Sequence, residues 1–139
     1  MVAGGGLGAT AGRAVIRGLG IDLAGIERIR RIHLRHGERF ARRILHADER
    51  DHVLAPADPA ERLAGRWAVK EAAMKALGTG WALGVGFTDI ALVPGPGGAP
   101  RLTLHGGALA AATALGATTW HASLSHSDGF AVAVVVLEG

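Results

Sequence analysis

The sequence of 139 residues contains no cysteine and no uninterrupted apolar run near the roughly 20 residues of a membrane-spanning helix. The first absence excludes disulfides and cysteine-ligated zinc or iron–sulfur sites. The start of the chain also lacks the charged and leucine-rich regions of a signal peptide. We therefore expect a soluble cytoplasmic protein without a membrane partner, in which residues 1–14 are a flexible extension and residues 15–139 one domain.

Lysine is scarce, because Lys70 and Lys75 are the only two in the protein. Arginine carries the remaining positive charge, and it is concentrated in residues 27–43, which hold seven arginines and two glutamates. That segment has a charge of +5 and the rest of the chain sums to −2, within a total of +3. The distribution of charge along the chain is therefore more informative than the net charge.

The arginine-rich segment has the periodicity of an amphipathic helix. One face collects arginines without acidic partners at helical spacing, namely Arg28, Arg31, Arg35, Arg39 and Arg42. The opposite face collects apolar residues, namely Ile26, Ile29, Ile32, Phe40 and Ile44. Gly37 is expected to break or kink this helix, since glycine costs about 1 kcal/mol in a helix interior. The arginine face predicts a docking surface for an acidic partner, and an ordinary solvated helix face is the alternative.

The remaining pattern predicts an α+β fold, in which antiparallel hairpin strands pack on a few helices. Strands are expected at residues 14–23, 87–93, 101–105, 120–125 and 130–137, and helices at 47–56 and 107–115. Gly18 and Gly20 mark a place in the first strand where another backbone approaches closely. The best-defined helix has Asp58 as N-cap and Pro59 in its first position, and it ends before Gly78.

That helix also carries the best candidate site. Lys70 falls in its apolar stripe, while Glu71 and Lys75 border the stripe at i,i+4 spacing. A plain helix ion pair is the simple interpretation of such a spacing. Asp22, at the end of the first strand, supplies a second carboxylate, and one or two carboxylates with phosphate oxygens are the usual protein site of Mg²⁺. Lys75 could then neutralise a leaving phosphate.

Three segments resemble a known family. GLGIDLAGIERI at residues 18–29, GRWAVKEAAMKALGTG at 65–80 and HASLSH at 121–126 are similar to the small holo-acyl-carrier-protein synthases, the short type of 4′-phosphopantetheinyl transferase. The resemblance implies that family's fold, assembled as a homotrimer with sites between subunits. It also implies magnesium-dependent transfer of the phosphopantetheine arm of coenzyme A to a serine of an acyl carrier protein, with release of adenosine 3′,5′-bisphosphate. Fatty acid and polyketide pathways both remain open.

By motif, the resemblance implies that Asp22 and Glu71 are metal ligands. Glu71, directly or through a metal-bound water, would take the serine proton, and Lys75 would stabilise or protonate the departing phosphate. Contacts to coenzyme A are implied for the side chains or backbone of five residues, namely Arg66, Lys75, Gly78, Gly80 and His126. For Arg66 and His126 a purely structural role is an equal alternative.

Carrier docking is implied for Arg28 and Arg39, and Arg35 lies between them on the predicted arginine face. Two functions of another class stay open at this point. One is a nucleic-acid-binding module that uses the arginine face, although the scarcity of lysine and exposed aromatics disfavours it. The other is a non-catalytic carrier-docking protein, against which the intact set of Asp22, Glu71 and Lys75 is evidence. Zinc is weakly suggested by the seven histidines.

Overall fold

The computed structural model describes residues 12–80 and 84–139. The described chain contains five strands, β1 (Ile16–Gly25), β2 (Ile90–Pro94), β3 (Pro100–Leu104), β4 (Thr119–Ser127) and β5 (Phe130–Glu138). It also contains five α-helices, α1 (Ile26–His36), α2 (Glu38–Ile44), α3 (Ala47–Leu54), α4 (Ala60–Leu77) and α5 (Gly106–Ala114). The predicted extension, residues 1–14, lies mostly outside the described residues and stays a prediction.

The strands form two antiparallel sheets, which confirms the predicted α+β fold with hairpins. The larger sheet has the order β1-β5-β4, and the smaller one is the β2–β3 hairpin. Helix α4 packs on the larger sheet, and its residues from Leu63 to Leu77 supply much of the core. The fold therefore places one side of α4 against the sheet and leaves the other sides for α1, α3 and the smaller hairpin.

Two glycines let β1 lie directly on the backbone of α4. A Cβ atom on Gly20 would stand 1.9 Å from the carbonyl oxygen of Ala72, and one on Gly18 would stand 2.1 Å from that of Ala76. No side chain fits at such distances, so only glycine allows this approach. The predicted close backbone contact is confirmed, and it fixes the end of β1 beside the last turns of α4.

The arginine-rich segment folds as two helices instead of one. Gly37 separates α1 from α2 with φ of +56°, a conformation that favours glycine, so the predicted break is confirmed. The apolar face is buried as expected, with Ile29 and Ile44 fully inaccessible. The expectation that the arginines lack acidic partners at helical spacing is wrong for Arg42, because Glu38 lies 3.8 Å from its guanidinium on the same helix.

Several boundaries differ from the predicted elements. Strand β1 is shifted by two residues, from 14–23 to Ile16–Gly25, so Asp22 lies inside the strand and not at its end. Residues Phe87–Asp89 form a 3₁₀ turn before β2, where the carboxylate of Asp89 accepts a hydrogen bond from the amide of Gly86 at 3.0 Å. Helix α4 begins at Ala60, one residue later than expected, so Pro59 is its N-cap. The carboxylate of Asp58 still accepts a hydrogen bond from the Ala60 amide, at 3.1 Å.

The outer face of the β1-β5-β4 sheet is unusually apolar for an uncovered surface. Leu19, Ile21 and Leu23 on β1 are 64%, 58% and 60% exposed. Their cross-strand neighbours are the half-buried valines 136, 134 and 132 of β5. Contiguous exposed apolar surface commonly marks an interaction site. Among the helices that the structure describes, none is long and apolar enough to cross a membrane.

Candidate active site

The structure brings together Asp22, Glu71 and Lys75 where β1 meets the C-terminal half of α4. The ammonium of Lys75 donates hydrogen bonds to the carbonyl oxygen of Ile21 at 2.9 Å and to Asp22 Oδ1 at 3.2 Å. Lys75 thus forms an ion pair between separate elements, in addition to its helical spacing from Glu71. The close packing of Gly18 and Gly20 on α4 is what sets Asp22 at this position.

Glu71 lies half-buried beside Asp22, and this environment disfavours its charged form. Burial raises the pKa of the Glu71 carboxyl, the charge of Asp22 raises it further, and Lys75 and Arg28 oppose the shift. A cation held between the two carboxylates would offset both the burial of Glu71 and its repulsion by Asp22, and so would favour the charged form of Glu71. The donor set, two carboxylates with one face open to solvent, fits Mg²⁺, which prefers oxygen ligands and retains water or phosphate oxygens.

Lys70, the other lysine, is the centre of a separate buried ion pair. Its ammonium donates to Glu49 and to the carbonyl oxygens of Phe87 and Ile90. Glu49 is fully buried and also accepts hydrogen bonds from the amides of His46 at 3.0 Å and Leu92 at 2.9 Å. The predicted burial of Lys70 is confirmed. Glu49 was missed, because its partner is 21 residues away and no local pattern indicates the contact.

Arg66 and His126 line a cavity that does not belong to the carboxylate cluster. Along α4, nine residues separate Arg66 from Lys75, which at about 100° per residue places them on opposite sides of the helix. Arg66 is only 8% exposed and donates to the carbonyl oxygen of Leu92 at 3.2 Å. His126 pairs with Glu61 at 3.1 Å. The residues for which contacts to coenzyme A are expected therefore form two groups within one chain.

Gly78 and Gly80 belong to the group at Lys75, since they follow the last turn of α4. Gly78 has the left-handed conformation, with φ of +73°, and its amide donates back to the carbonyl of Lys75 at 3.1 Å. Gly80 also has positive φ, at +53°, and both glycines are exposed. The backbone just after α4 is therefore accessible from solvent, within one to two turns of Lys75 in the sequence.

The arginines for which docking is expected are all exposed, but they occupy different places. The guanidinium of Arg28 lies over the indole of Trp67, 5.8 Å from the ring centroid, and its charge acts on Glu71. Trp67 itself packs between Phe40 and Phe87. Arg35 lies at the end of α1 and Arg39 near the start of α2. Arg28 therefore connects the arginine-rich surface with the carboxylate cluster.

The histidines that come closest to a metal site are His46 and His105, with Asp48 beside them. Their rings stack with centroids 4.4 Å apart and planes 14° from parallel. The nitrogen lone pairs of the two rings lie in separate, nearly parallel planes, which disfavours coordination of one shared ion. His46 Nδ1 also accepts the amide hydrogen of Asp48 at 3.0 Å, as the cap of α3. This group is better explained by packing and helix capping than by zinc.

Comparison with known families decides the assignment. The family model of the 4′-phosphopantetheinyl transferase superfamily matches residues 18–135, which include Asp22, Glu71 and Lys75. The chain belongs to the 4′-phosphopantetheinyl transferase superfamily. It is an enzyme of the phosphopantetheinyl transferase class, which favours that function over a nucleic-acid-binding or non-catalytic module.

Relatives within the superfamily match almost the whole chain. A holo-[acyl-carrier-protein] synthase of Solidesulfovibrio magneticus is 54% identical over 125 residues, covering 90% of this chain and 100% of the relative. One from Nitratidesulfovibrio vulgaris is 54% identical over 124 residues, covering 89% and 99%. The crystal structure of the Neisseria meningitidis synthase has 33% identity and a TM-score of 0.80, covering 90% and 100%.

A second superfamily structure shows a bound ligand. The Helicobacter pylori holo-[acyl-carrier-protein] synthase was crystallised in complex with coenzyme A. That protein is 34% identical to this chain, with a TM-score of 0.73 and coverage of 86% of this chain and 98% of its own.

Proposed function

We propose that this enzyme transfers the 4′-phosphopantetheine arm of coenzyme A to a serine of an apo acyl carrier protein, releasing adenosine 3′,5′-bisphosphate. The observation that carries the proposal is the convergence of Asp22, Glu71 and Lys75 at one accessible place. The Helicobacter pylori relative, which binds coenzyme A, supports the choice of donor. Several relatives named for the acyl carrier protein support the choice of acceptor.

Asp22 and Glu71 are the residues that would hold Mg²⁺ in this enzyme. When bound, the ion neutralises charge on the pyrophosphate of the donor. The raised pKa of Glu71, caused first by burial and then by the charge of Asp22, supports this assignment, because a cation between the two carboxylates would favour their charged forms. The dependence on Mg²⁺ is therefore part of the proposal.

The residues of the chain account for the proton movements of the transfer. The serine oxygen forms a bond to the phosphorus that carries the pantetheine arm, and the bond from that phosphorus to the oxygen of the adenosine bisphosphate breaks. In this proposal Glu71 accepts the hydroxyl proton of the attacking serine, directly or through a bound water. Two of the three ammonium hydrogens of Lys75 bind Ile21 and Asp22. The third is donated to the departing oxygen, as a hydrogen bond or as a proton.

We further propose a homotrimer in which neighbouring chains share each site. Arg66 and His126 lie on the opposite side of α4 from Lys75, and a neighbouring chain in a trimer could bring the second group to a donor molecule held by the first. The exposed apolar face of β1 offers a surface for that association. A shared site would explain why one chain has two separate groups of phosphate-binding candidates.

The acidic carrier is proposed to dock on Arg28, Arg35 and Arg39. Arg35→Glu tests this most directly, because Arg28 also acts on Glu71 and contacts Trp67. We expect KM for the carrier to rise at least about tenfold, with KM for coenzyme A nearly unchanged. Arg13→Glu, a reversal at an exposed residue before β1, is the matched control. Equal losses for both substrates would contradict carrier docking by Arg35.

One assay tests the proposed function as a whole. The purified protein is mixed with coenzyme A, Mg²⁺ and a panel of apo carriers that includes one from the same genome. The mass of each carrier is then measured by mass spectrometry. The mass of phosphopantetheine should be gained on one or more carriers. The gain should disappear with EDTA and with Glu71→Gln. Failure to modify any carrier would refute the proposal.

A further inference from the structure

Lys75 and Asp22 form an ion pair at the place proposed for the metal. The ammonium of Lys75 donates to Asp22 Oδ1 at 3.2 Å and to the carbonyl oxygen of Ile21 at 2.9 Å. The side chain of Asp22 is only 17% exposed, so most directions of approach to its carboxylate are closed. The positive charge that compensates Asp22 in this structure is therefore the ammonium of Lys75.

The two partners of this ion pair differ in their freedom to move. Asp22 is carried by β1, which is fixed against α4 by the close packing of Gly20 on the carbonyl group of Ala72. Lys75 has a flexible four-carbon stem, and its side chain is 55% exposed. When a second cation approaches Asp22, the ammonium of Lys75 is therefore the group that can move away.

Glu71 adds a second negative charge, which one ammonium does not balance. With both carboxylates charged, Asp22, Glu71 and Lys75 together carry a charge of −1. Burial and the charge of Asp22 raise the pKa of Glu71, and Lys75 opposes this rise, so its charge acts on both carboxylates. A divalent cation between the carboxylates balances both negative charges and repels a second cation at short range. The positive charge of Lys75 is then in surplus.

Resting on the metal site of the proposed function, we propose that Lys75 and Mg²⁺ compete for Asp22. Lys75 holds the carboxylate in the metal-free protein and is displaced from it when Mg²⁺ binds. The displaced ammonium regains the hydrogen that Asp22 had accepted, and this hydrogen becomes available to a phosphate oxygen of the donor. Lys75 is thus a switch that directs its charge toward the donor after the metal site is filled.

The affinity of the protein for Mg²⁺, measured without coenzyme A, tests this competition. Calorimetry gives the Kd of Mg²⁺ for the parent protein and for Lys75→Met, which has a side chain of similar length without the charge. We expect Lys75→Met to bind Mg²⁺ at least about tenfold more tightly, because no charge-assisted hydrogen bond to Asp22 has to be broken. Equal or weaker binding by Lys75→Met would overturn the proposal. If Lys75→Met has a lowered unfolding temperature, Lys75→Gln replaces it.

Arg28→Met is the matched control for the removal of one positive charge. Arg28 acts on Glu71 through its charge, but its guanidinium lies over the indole of Trp67. We expect the Kd of Mg²⁺ for Arg28→Met to change less than about threefold, since a solvent-screened charge has only a weak effect on the site. If Arg28→Met gains as much affinity as Lys75→Met, the gain comes from net charge and the competition for Asp22 is wrong.

The scarcity of lysine provides a second measurement. Labelling the lysine ammonium groups with ¹⁵N restricts the side-chain signals to Lys70 and Lys75. The Lys75 signal, assigned by its loss in Lys75→Met, should shift as Mg²⁺ is added and give the same Kd as calorimetry. Lys70, which is 1% exposed and paired with Glu49, should keep its signal and is the internal control. A constant Lys75 signal at saturating Mg²⁺ would contradict the displacement.

The outcomes separate this inference from the proposed function. If the parent protein modifies a carrier in the presence of Mg²⁺ but Lys75→Met gains no affinity for Mg²⁺, the competition is wrong and the proposed function stands. If Lys75→Met gains affinity but the parent protein modifies no carrier, the competition stands and the proposed function fails.

Discussion

The ammonium of Lys70 and the carboxylate of Glu49 form an ion pair in the interior of the protein, with 1% and 0% of the two residues exposed. The pair links α3 to α4, and the remaining hydrogens of Lys70 bind the carbonyl groups of Phe87 and Ile90, where the chain enters β2. Burial lowers the pKa of Lys70, and the charge of Glu49 opposes that shift. Lys70 therefore has a structural role and leaves Lys75 as the lysine available for chemistry.

Removing one partner of this pair should cost more than removing both. Lys70→Met leaves the carboxylate of Glu49 buried without its cation, and the expected loss is about 3–5 kcal/mol of unfolding free energy. The double variant Glu49→Leu/Lys70→Met removes both charges of the pair and should recover part of that loss; the recovery is incomplete because the guanidinium of Arg66, 4.0 Å from Glu49, stays buried. Urea unfolding followed by circular dichroism measures both. Equal stability of the single and double variants would contradict this account of the pair.

Gly20 should tolerate no side chain. A Cβ atom in Gly20→Ala would meet the carbonyl oxygen of Ala72 at 1.9 Å, so β1 must move away from α4 and carry Asp22 with it. We expect a loss of at least about 1–3 kcal/mol of stability together with a drop in kcat. Gly25→Ala in the same strand is the control, because its nearest contact would be an ordinary 3.8 Å to Arg28. Chemical denaturation and the transfer assay show whether the two substitutions differ.

The Glu71 carboxyl should make the metal-free protein less stable as the pH rises. Its folded-state pKa lies above the ordinary value of 4.5, so its contribution is fully present below that value and is lost as the pH rises through the folded pKa. Glu71→Gln should remove this loss and be more stable than the parent protein at neutral pH in EDTA. Near pH 4 the difference should vanish, because both proteins are then uncharged at this position.

Magnesium provides a second readout of the same residue. Added Mg²⁺ should raise the unfolding temperature of the parent protein at neutral pH and raise that of Glu71→Gln much less. Asp51→Asn, which removes an exposed carboxylate on α3, is the control and should respond to Mg²⁺ like the parent. An equal response of the parent and Glu71→Gln would argue against Glu71 as a ligand.

The exposed apolar face of β1 should be required for assembly. Leu19→Asp places a charge on this face, and we expect the proposed trimer to give way to a single chain with a large loss of transfer activity. Leu115→Asp, a partly exposed leucine after α5, should leave both unchanged. Light scattering after gel filtration measures the mass of each. A trimeric and active Leu19→Asp would contradict the proposed interface.

Local sequence signals were sufficient for most elements of this fold. Turn residues and apolar periodicity located the strands and α4, and the glycines of β1 predicted its backbone contact with the helix. The convergence of Asp22 with Glu71 and Lys75 was expected from the family resemblance, since the spacing alone left it open for residues as far apart in sequence as Asp22 and Lys75. The 3₁₀ turn at Phe87–Asp89 was taken for strand because its apolar residue continues the pattern of β2.

Contacts between distant elements could not be predicted in the same way. Glu49 has no local feature that distinguishes a buried carboxylate from the exposed ones beside it in α3. The placement of Arg66 and Lys75 on opposite sides of α4 could have been predicted from their spacing. Nine positions along a helix correspond to about two and a half turns. The cavities beside Arg66 depend on α3, β4 and the β2–β3 hairpin meeting around this residue, which only the tertiary structure reveals.

The placement of Arg66 and Lys75 on opposite sides of α4 also has a genetic consequence. In a cyclic assembly where Glu71 of one chain serves the same donor as Arg66 of the next, inactivating substitutions at these two positions affect different partners of each site. A mixed assembly of the two defective chains then always retains one intact site. That site combines Glu71 of the chain altered at Arg66 with Arg66 of the chain altered at Glu71. Two null alleles of this gene would complement each other in a single cell, although neither supports activity alone.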